Sequence, residues 1–239
     1  MARTSKDVVP PPEHKPRYVR EMFARISRRY DLMNRLMTAG QDQRWRELVV
    51  EVCALPPGGT LLDVATGTGD IAFLARRMRP DVTVVGLDLT WEMMAVGREK
   101  APHEVVQFVQ GDALALPFAD NTFDAACSGF MMRNVVDIAQ AFAEQRRVVR
   151  PGGRVVCLEI THPRFGPWRR LFQLYFFHVV PLLGALVSGA RDAYTYLPHS
   201  TLTFPDADSL ADIMRRVGLR HVHYKRLMLD TVAIHVGEV

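Results

Sequence analysis

LLDVATGTGD, residues 61–70, is an apolar run that breaks into glycine, threonine and glycine and then continues as a helical pattern. A strand that enters a helix through Gly67 and Gly69 brings backbone amides close to a ligand, because neither residue carries a Cβ to hold it off. The chain alternates around this turn. TLLDVAT (60–66), VTVVGLDL (82–89), VVQFVQGDA (105–113), FDAACSGFM (123–131) and RVVCLEIT (154–161) have strand composition. GDIAFLARRMR (69–79), WEMMAVGREKA (91–101) and VDIAQAFAEQRRVV (136–149) have helical periodicity. Strands separated by helices of this length form right-handed βαβ units in a parallel sheet. RHVHYKRLMLDTVAIHVGEV (220–239) sets two strand-like runs back to back, which predicts an antiparallel hairpin at one sheet edge. The expected fold is α/β and Rossmann-like, a mainly parallel seven-stranded sheet with an antiparallel C-terminal edge, N-terminal helices and an inserted helical cap.

The 239 residues suit one such domain, and 48% hydrophobic with 23% charged residues is an ordinary globular composition. Residues 1–16 are polar and proline-rich and read as a disordered tail; residues 17–239 read as a single domain. Within it, 17–57 form an N-terminal helical cap in which Met22, Phe23, Ile26, Tyr30 and Met33 recur at helical spacing. Residues 58–162 form a cofactor-binding core, 163–200 an apolar helical cap, and 201–239 a C-terminal helix and hairpin. In the cap, WRRLFQLYFFHVVPLLGALVSGA (168–190) is strongly apolar, but Gln173, His178, Pro181 and Gly184 interrupt it and argue against a spanning helix. It is expected to wall an apolar pocket.

The net charge of +4 is a mild basic excess, much of it in Lys15, Arg17, Arg20, Arg25, Arg28 and Arg29, where solvent is the default partner. The excess is small and no Pro-Pro-Tyr-type acceptor motif follows the fourth strand, which argues against a nucleic-acid partner. Cys53, Cys127 and Cys157 are far apart with no CxxC, which fits neither a disulfide framework nor a zinc site and suits a cytoplasmic setting. The N-terminal stretch has no apolar core of a secretory signal.

Asp88 follows Gly67 by about twenty residues, as in a dinucleotide fingerprint, so an NAD(P)-dependent oxidoreductase is one reading. The carboxylates argue otherwise. A pyrophosphate wants unopposed amides at a helix N-terminus, and Asp63 and Asp70 flank this one. A ligand with an ammonium and a sulfonium, such as S-adenosylmethionine, would be attracted instead. In that reading Gly67, Thr68 and Gly69 cradle the ligand and Asp63 faces its amino-acid end. Asp88 takes the ribose hydroxyls, and Asp112 with Ala113 frames the adenine. Each residue has a plainer role: Asp63 orienting the loop, Asp88 capping a helix, Asp112 sitting in a solvent turn. Their joint appearance at three successive strand ends is the specific signal, because ligands of open α/β sheets bind there.

YDLMNRLMTAGQDQRW (30–45), ALPFADNTFD (115–124), RNVVD (133–137), RVVRPGGRVVCLEIT (147–161), YTYLPHSTLTFP (194–205) and VAIHVG (232–237) accompany the glycine motif. With it they make the chain, from Arg17 to His235, resemble class I methyltransferases, and within them the quinone-biosynthesis C-methyltransferases. The resemblance implies S-adenosylmethionine-dependent conversion of demethylmenaquinol to menaquinol, or the analogous benzoquinol step. It implies cofactor contacts at Thr68, Asp88, Asp112 and Ala113. The chain departs from the family pattern at Asp42, usually histidine, and at Thr38, usually serine. It also departs at Gly129-Phe130-Met131, where Ser-Phe-Gly is usual and where Ser128 is the adjacent substitute. These departures leave room for another lipid or aromatic acceptor.

Methylation of a ring carbon needs an electron-rich ring, so a quinol must ionise. Arg133 is expected to bind the developing phenolate, with water taking the proton, and Asn134 to bond a quinol oxygen. A plainer role pairs Arg133 with Asp137 at i+4. Tyr30 and Asp31 are expected to close over the substrate; Glu159 and His162 are weaker candidates on the same side. No metal is expected: His221 and His223 share a strand face without a third ligand. His178 reads as a buried histidine, and Met93 and Met94 as core. Arg169 and Arg170 beside the apolar cap suggest transient contact with anionic lipid at the inner face of the membrane, where a polyprenyl quinol resides. A homodimer is a further expectation.

Overall fold

The computed structural model describes residues 8–164 and 166–239; residues 1–7 of the expected tail lie outside them. Seven strands form one sheet: β1 Thr60–Val64, β2 Thr83–Asp88, β3 Gln107–Gln110, β4 Phe123–Gly129, β5 Val149–Ile160, β6 Arg220–Leu227 and β7 Val232–Glu238. Their order is β3-β2-β1-β4-β5-β7-β6. β1 to β5 pair in parallel, and β7 runs antiparallel to both β5 and β6, so the hairpin is inserted with β6 at the edge. The order reverses between β1 and β4, and a crevice opens beyond their carboxyl ends.

β1 is buried on both faces, as a central parallel strand must be, and this places the Asp63 carboxylate in the interior. On one face, Trp45 and Val49 of α2 (Gln41–Val52) and Ile71 and Ala72 of α3 (Asp70–Met78) pack against Leu61, Val84 and Val156. Across the sheet, Phe142 of α5 (Ile138–Val148) and Leu210 and Met214 of α8 (Ala207–Arg216) pack against Leu62, Ala126 and Val155. α4 (Trp91–Lys100) buries Met93 and Met94, as expected.

A third layer covers the carboxyl edge. Met22, Ile26 and Met33 of α1 (Lys15–Thr38) pack against Phe176 and Val180 of α6 (Gly166–Ser188) and against Tyr194 and Tyr196 of α7 (Arg191–Leu202). α1 ends where Ala39 and Gly40 both take left-handed backbone (φ 50° and 77°), so the TAG break turns the chain into α2. α1 begins at Lys15, inside the stretch expected to be a disordered tail, and the Lys15 ammonium donates to the carbonyls of Arg133 and Val135 at 3.0 and 2.9 Å.

Three local expectations are corrected. Gln173, His178, Pro181 and Gly184 do not break the cap: α6 runs unbroken for 23 residues and is long and apolar enough, by length and composition, to cross a membrane. A π turn at Tyr175–Val179 precedes Pro181, so the missing N–H falls just where the bonding register shifts. His178 is exposed rather than buried, its Nδ1 3.2 Å from the Leu174 carbonyl oxygen. A bulge between Arg220 and His223, with His221 at φ 50°, removes the shared face expected of the two histidines. No cluster of three metal-ligating side chains occurs among the described residues.

Candidate active site

The glycine turn sits at the switch point. Gly67 (φ 58°) and Gly69 (φ 79°) take left-handed backbone, and Gly69 caps α3. The Asp88 carboxylate, at the end of β2, accepts from Gly67 N at 2.8 Å and from Thr90 N at 2.7 Å, one oxygen each. Burial raises its pKa while these amides oppose the rise. Each oxygen keeps acceptor capacity for a hydroxyl. Asp88, Asp112, Ala113, Gly67 and Met131 line one cavity, so the residues expected at ribose and adenine are brought together. Asp112 accepts from Leu114 N through Oδ1 only.

A second, smaller cavity lies on the other side of Gly67, lined by Asp63, Thr66, Asp70 and Arg46. Asp63 accepts from the Thr66 hydroxyl at 2.6 Å and has the Cys127 thiol 3.6 Å from its other oxygen. Burial pushes its pKa up to about 7. Burial also opposes ionisation of Asp70, but Arg46 (3.4 Å) and Lys100 (2.5 Å) outweigh it and hold its pKa below the usual carboxylate range. This cavity therefore presents a guanidinium beside a carboxylate poised near neutrality, a donor set suited to an α-amino acid group.

The Thr68 side chain is already engaged within the protein. Its hydroxyl donates to Asp31 at 2.6 Å and accepts from Lys100 Nζ at 2.9 Å, so the backbone is what it offers the cleft. The Lys100 ammonium also donates to Asp31 Oδ2 at 2.7 Å. The three side chains tie α1 to the glycine turn. α4 reaches this point because residue 97 is glycine: a Cβ there would stand 2.7 Å from the Thr68 carbonyl oxygen.

The third cavity, about 610 Å³, lies between α1, α6, α7 and the loop after β4. Its walls are mostly apolar and aromatic, with Trp45, Phe130 and Phe172 among them. Tyr30, Phe130 and Asn134 line both this chamber and the Asp88 cavity, and Tyr30 and Phe130 also reach the Asp63 cavity. Burial holds the Tyr30 phenol above its usual pKa, so it stays protonated. Phe130 takes left-handed backbone (φ 58°), rare for an aromatic residue, and its ring packs edge-on to Trp45.

Arg133 does not pair with Asp137, which instead caps α5 through Gln140 N. Its partner is Glu159 at the end of β5. Nη1 lies 2.5 Å from Oε1, and the Arg133 backbone N–H donates to Oε2 at 3.3 Å. Arg133 Nε and Asn134 Oδ1 are buried without a partner among the described residues, while Asn134 Nδ2 donates to the Phe130 carbonyl. Ser128, the expected substitute for the family serine, is sealed within the sheet and lines none of the three cavities. His162 faces the Phe204 carbonyl and also lines none of them.

Asp42, the family departure, lines the chamber and forms a buried ion pair with Arg46 while accepting from the Thr38 hydroxyl at 2.9 Å. Arg46 was missed in the sequence although its i+4 spacing from Asp42 is a pairing signal. Lys100 carried no such signal, because its partners come from distant elements.

The sequence profile of the ubiE/COQ5 methyltransferase family matches residues 12–238. The chain is 46% identical over 236 residues to the demethylmenaquinone methyltransferase of Roseiflexus castenholzii, covering 97% of each protein. It is 45% identical to the ubiquinone/menaquinone biosynthesis C-methyltransferase UbiE of Desulfotalea psychrophila, over 92% of this chain and 89% of that one. Among solved structures, a SAM-dependent methyltransferase from Thermotoga maritima shares the fold with TM-score 0.64 and 18% identity, over 92% of this chain and 98% of that one.

Proposed function

Since this chain belongs to the ubiE/COQ5 methyltransferase family, we propose that it methylates a ring carbon of demethylmenaquinol, or of the analogous polyprenyl benzoquinol, with S-adenosylmethionine as donor. The observation that carries this reading is the shared wall: Tyr30, Phe130 and Asn134 stand between a cleft of cofactor chemistry and an apolar chamber large enough for a ring and the start of a prenyl tail. Arg46 and Asp63 suit the amino-acid end of the donor, Asp88 its ribose, and Asp112 with Ala113 its adenine.

Bound there, S-adenosylmethionine would supply an electrophilic methyl group to the ring carbon, with sulfur keeping the electron pair of the carbon–sulfur bond, and the ring proton that leaves to restore aromaticity would pass to water. Arg133 directs its unpartnered Nε–H to the quinol oxygen and favours the phenolate that makes the ring carbon nucleophilic. Its guanidinium does not take the proton, which passes to water. Asn134 Oδ1 accepts from a quinol hydroxyl, and the neutral Tyr30 phenol donates at the junction. The apolar walls exclude bulk water, and orientation of ring against methyl supplies much of the acceleration.

The test is methyl-labelled S-adenosylmethionine with demethylmenaquinone, once oxidised and once chemically reduced. Label entering only the reduced ring supports the reading. Label in neither, with the donor still bound, redirects it to another lipid or aromatic acceptor, with Asp42 and Met131 the first residues to examine.

The same reading makes this a cytoplasmic enzyme that meets the inner face of the membrane through α6. Leu171, Leu174, Leu182 and Leu186 are all more than half exposed on that helix, and Arg169 and Arg170 stand in its first turns. Leu171 of this surface and the exposed Leu36 of α1 also line the chamber, so the chamber opens where lipid would lie. Sedimentation with anionic vesicles at low salt is the check. Absence of binding would overturn the membrane contact, and a stable dimer covering α6 would replace it.

A further inference from the structure

Two polar side chains of the chamber wall have no role in the mechanism above. Tyr194 is 3% exposed, lines the chamber, and has a hydroxyl without a hydrogen-bond partner among the described residues. Ser188 is close enough for its hydroxyl to lower the Tyr194 pKa slightly, but that hydroxyl donates to the Gly184 carbonyl at 2.7 Å and makes no hydrogen bond of proper geometry to the phenol. Burial holds the Tyr194 phenol well above its usual pKa, so it remains a neutral donor and acceptor. Asn34 lines the same chamber from α1, and its buried Nδ2 is also unpartnered. Unsatisfied buried groups are uncommon in folded proteins, and several facing one cavity point to a ligand that completes them.

These atoms fall into two groups. Tyr196, also unpartnered, feels the charges of Arg133 and Glu159. Tyr194 and Asn34 lie by Tyr30, which the Arg133 charge also reaches. The Tyr194 ring is held firmly, because it packs so closely on Gly184 of α6 that a Cβ there would stand 2.3 Å from it. A para-quinol has two oxygens on opposite edges of its ring, and the chamber offers unpartnered polar atoms at Arg133 and Asn134 and again at Asn34 and Tyr194.

We propose that Asn34 and Tyr194 form a second oxygen subsite, which binds the quinol hydroxyl remote from Arg133 and so selects a para-dihydroxy ring over a monohydroxy one. This deepens the quinol reading and rests on it. Arg133 with Asn134 serves the hydroxyl ortho to the methylated carbon. Asn34 Nδ2 donates to the opposite hydroxyl oxygen, and the Tyr194 hydroxyl oxygen accepts a hydrogen bond from that hydroxyl.

The experiment compares a short-chain demethylnaphthoquinol with the analogue that keeps only the hydroxyl ortho to the methylated carbon. Wild type is expected to favour the diol about tenfold or more in kcat/KM, since a site built to bond a hydroxyl rejects the analogue that lacks it. Tyr194→Phe and Asn34→Ala should each reduce that preference to about twofold by weakening turnover of the diol more than that of the monohydroxy ring. Either variant suffices if the other fails to fold. An unchanged preference in a folded variant overturns the proposal, as does equal use of both rings by wild type. If wild type methylates neither ring, the quinol reading fails separately. Quenching of Trp45 and Trp168 fluorescence, both in the chamber wall, by the corresponding quinone then reads binding without turnover. Equal affinity in wild type and Tyr194→Phe would overturn the subsite.

Discussion

Arg133 and Glu159 form an ion pair 2.5 Å apart with side chains 6% and 1% exposed, and Arg133 stands in the wall of a mostly apolar chamber. Glu159 also accepts from the Arg133 and Ile160 backbone amides, so the pair anchors the loop after β4 as well as the guanidinium. Removing one partner of such a pair leaves a buried charge uncompensated. Glu159→Gln should lower stability by about 3–5 kcal/mol and reduce kcat more than KM for the quinol. Urea unfolding and steady-state kinetics check this; wild-type stability in the variant would overturn it. Arg133→Met combined with Glu159→Gln should recover much of the stability and none of the activity.

The Asp63 carboxyl, raised to about 7 by burial, makes stability depend on pH. The folded protein keeps Asp63 protonated up to neutrality, whereas the unfolded chain ionises it near pH 4. The folded state therefore binds more protons in that window, and this contribution falls as pH rises from 4 to 7, then levels off. Asp63→Asn removes the effect. Its stability relative to wild type should grow across the same window, to at most about 4 kcal/mol. Affinity for S-adenosylmethionine should weaken. Chemical denaturation at pH 5 and pH 8 gives the comparison, and a difference independent of pH would sink the assignment.

Lys100 joins Asp31 of α1, Thr68 of the glycine turn and Asp70 of α3. The ammonium is partly exposed, so its loss should cost only about 1 kcal/mol of global stability. The local effect should be larger. Lys100→Met is expected to speed amide exchange across residues 15–38 and to raise KM for S-adenosylmethionine several-fold. Unchanged exchange in α1 would show that the tie is incidental.

Gly97→Ala inserts a methyl 2.7 Å from the Thr68 carbonyl oxygen, a backbone atom that cannot rotate away. The glycine turn must shift or α4 must retreat, at about 1–3 kcal/mol. Calorimetric titration should show about tenfold weaker S-adenosylmethionine binding, and an unchanged dissociation constant would mean the turn tolerates the shift.

Asp42 stands where the family usually has histidine, and here it shares Arg46 with Asp70. Asp42→Asn leaves Arg46 only its longer contact to Asp70 and should lower stability by about 3 kcal/mol. Asp70→Asn, the more exposed partner, should cost less, and the reverse order in thermal denaturation would overturn this ranking.

Local pattern along the chain sufficed for the sheet and for the edge that carries the cofactor residues. Alternation of apolar strands and amphipathic helices is a local pattern, and right-handed crossovers leave few ways to assemble it, so Gly67, Asp88 and Asp112 had to converge at the carboxyl ends of β1 to β3. The hairpin of β6 and β7 was legible for the same reason, in two short runs too close together for a crossover. Tertiary structure decided the rest. Arg133 lies four residues before Asp137 but pairs with Glu159 on the neighbouring strand, because burial makes the distant carboxylate its counter-ion. Thr68 gives its hydroxyl to Asp31, and α6 passes through Pro181 unbroken on a π turn. Which oxygen or nitrogen remains unpartnered, at Arg133, Asn134, Asn34 and Tyr194, depends on what every neighbour has already bonded. That is a property of the packed chamber, and no stretch of sequence carries it.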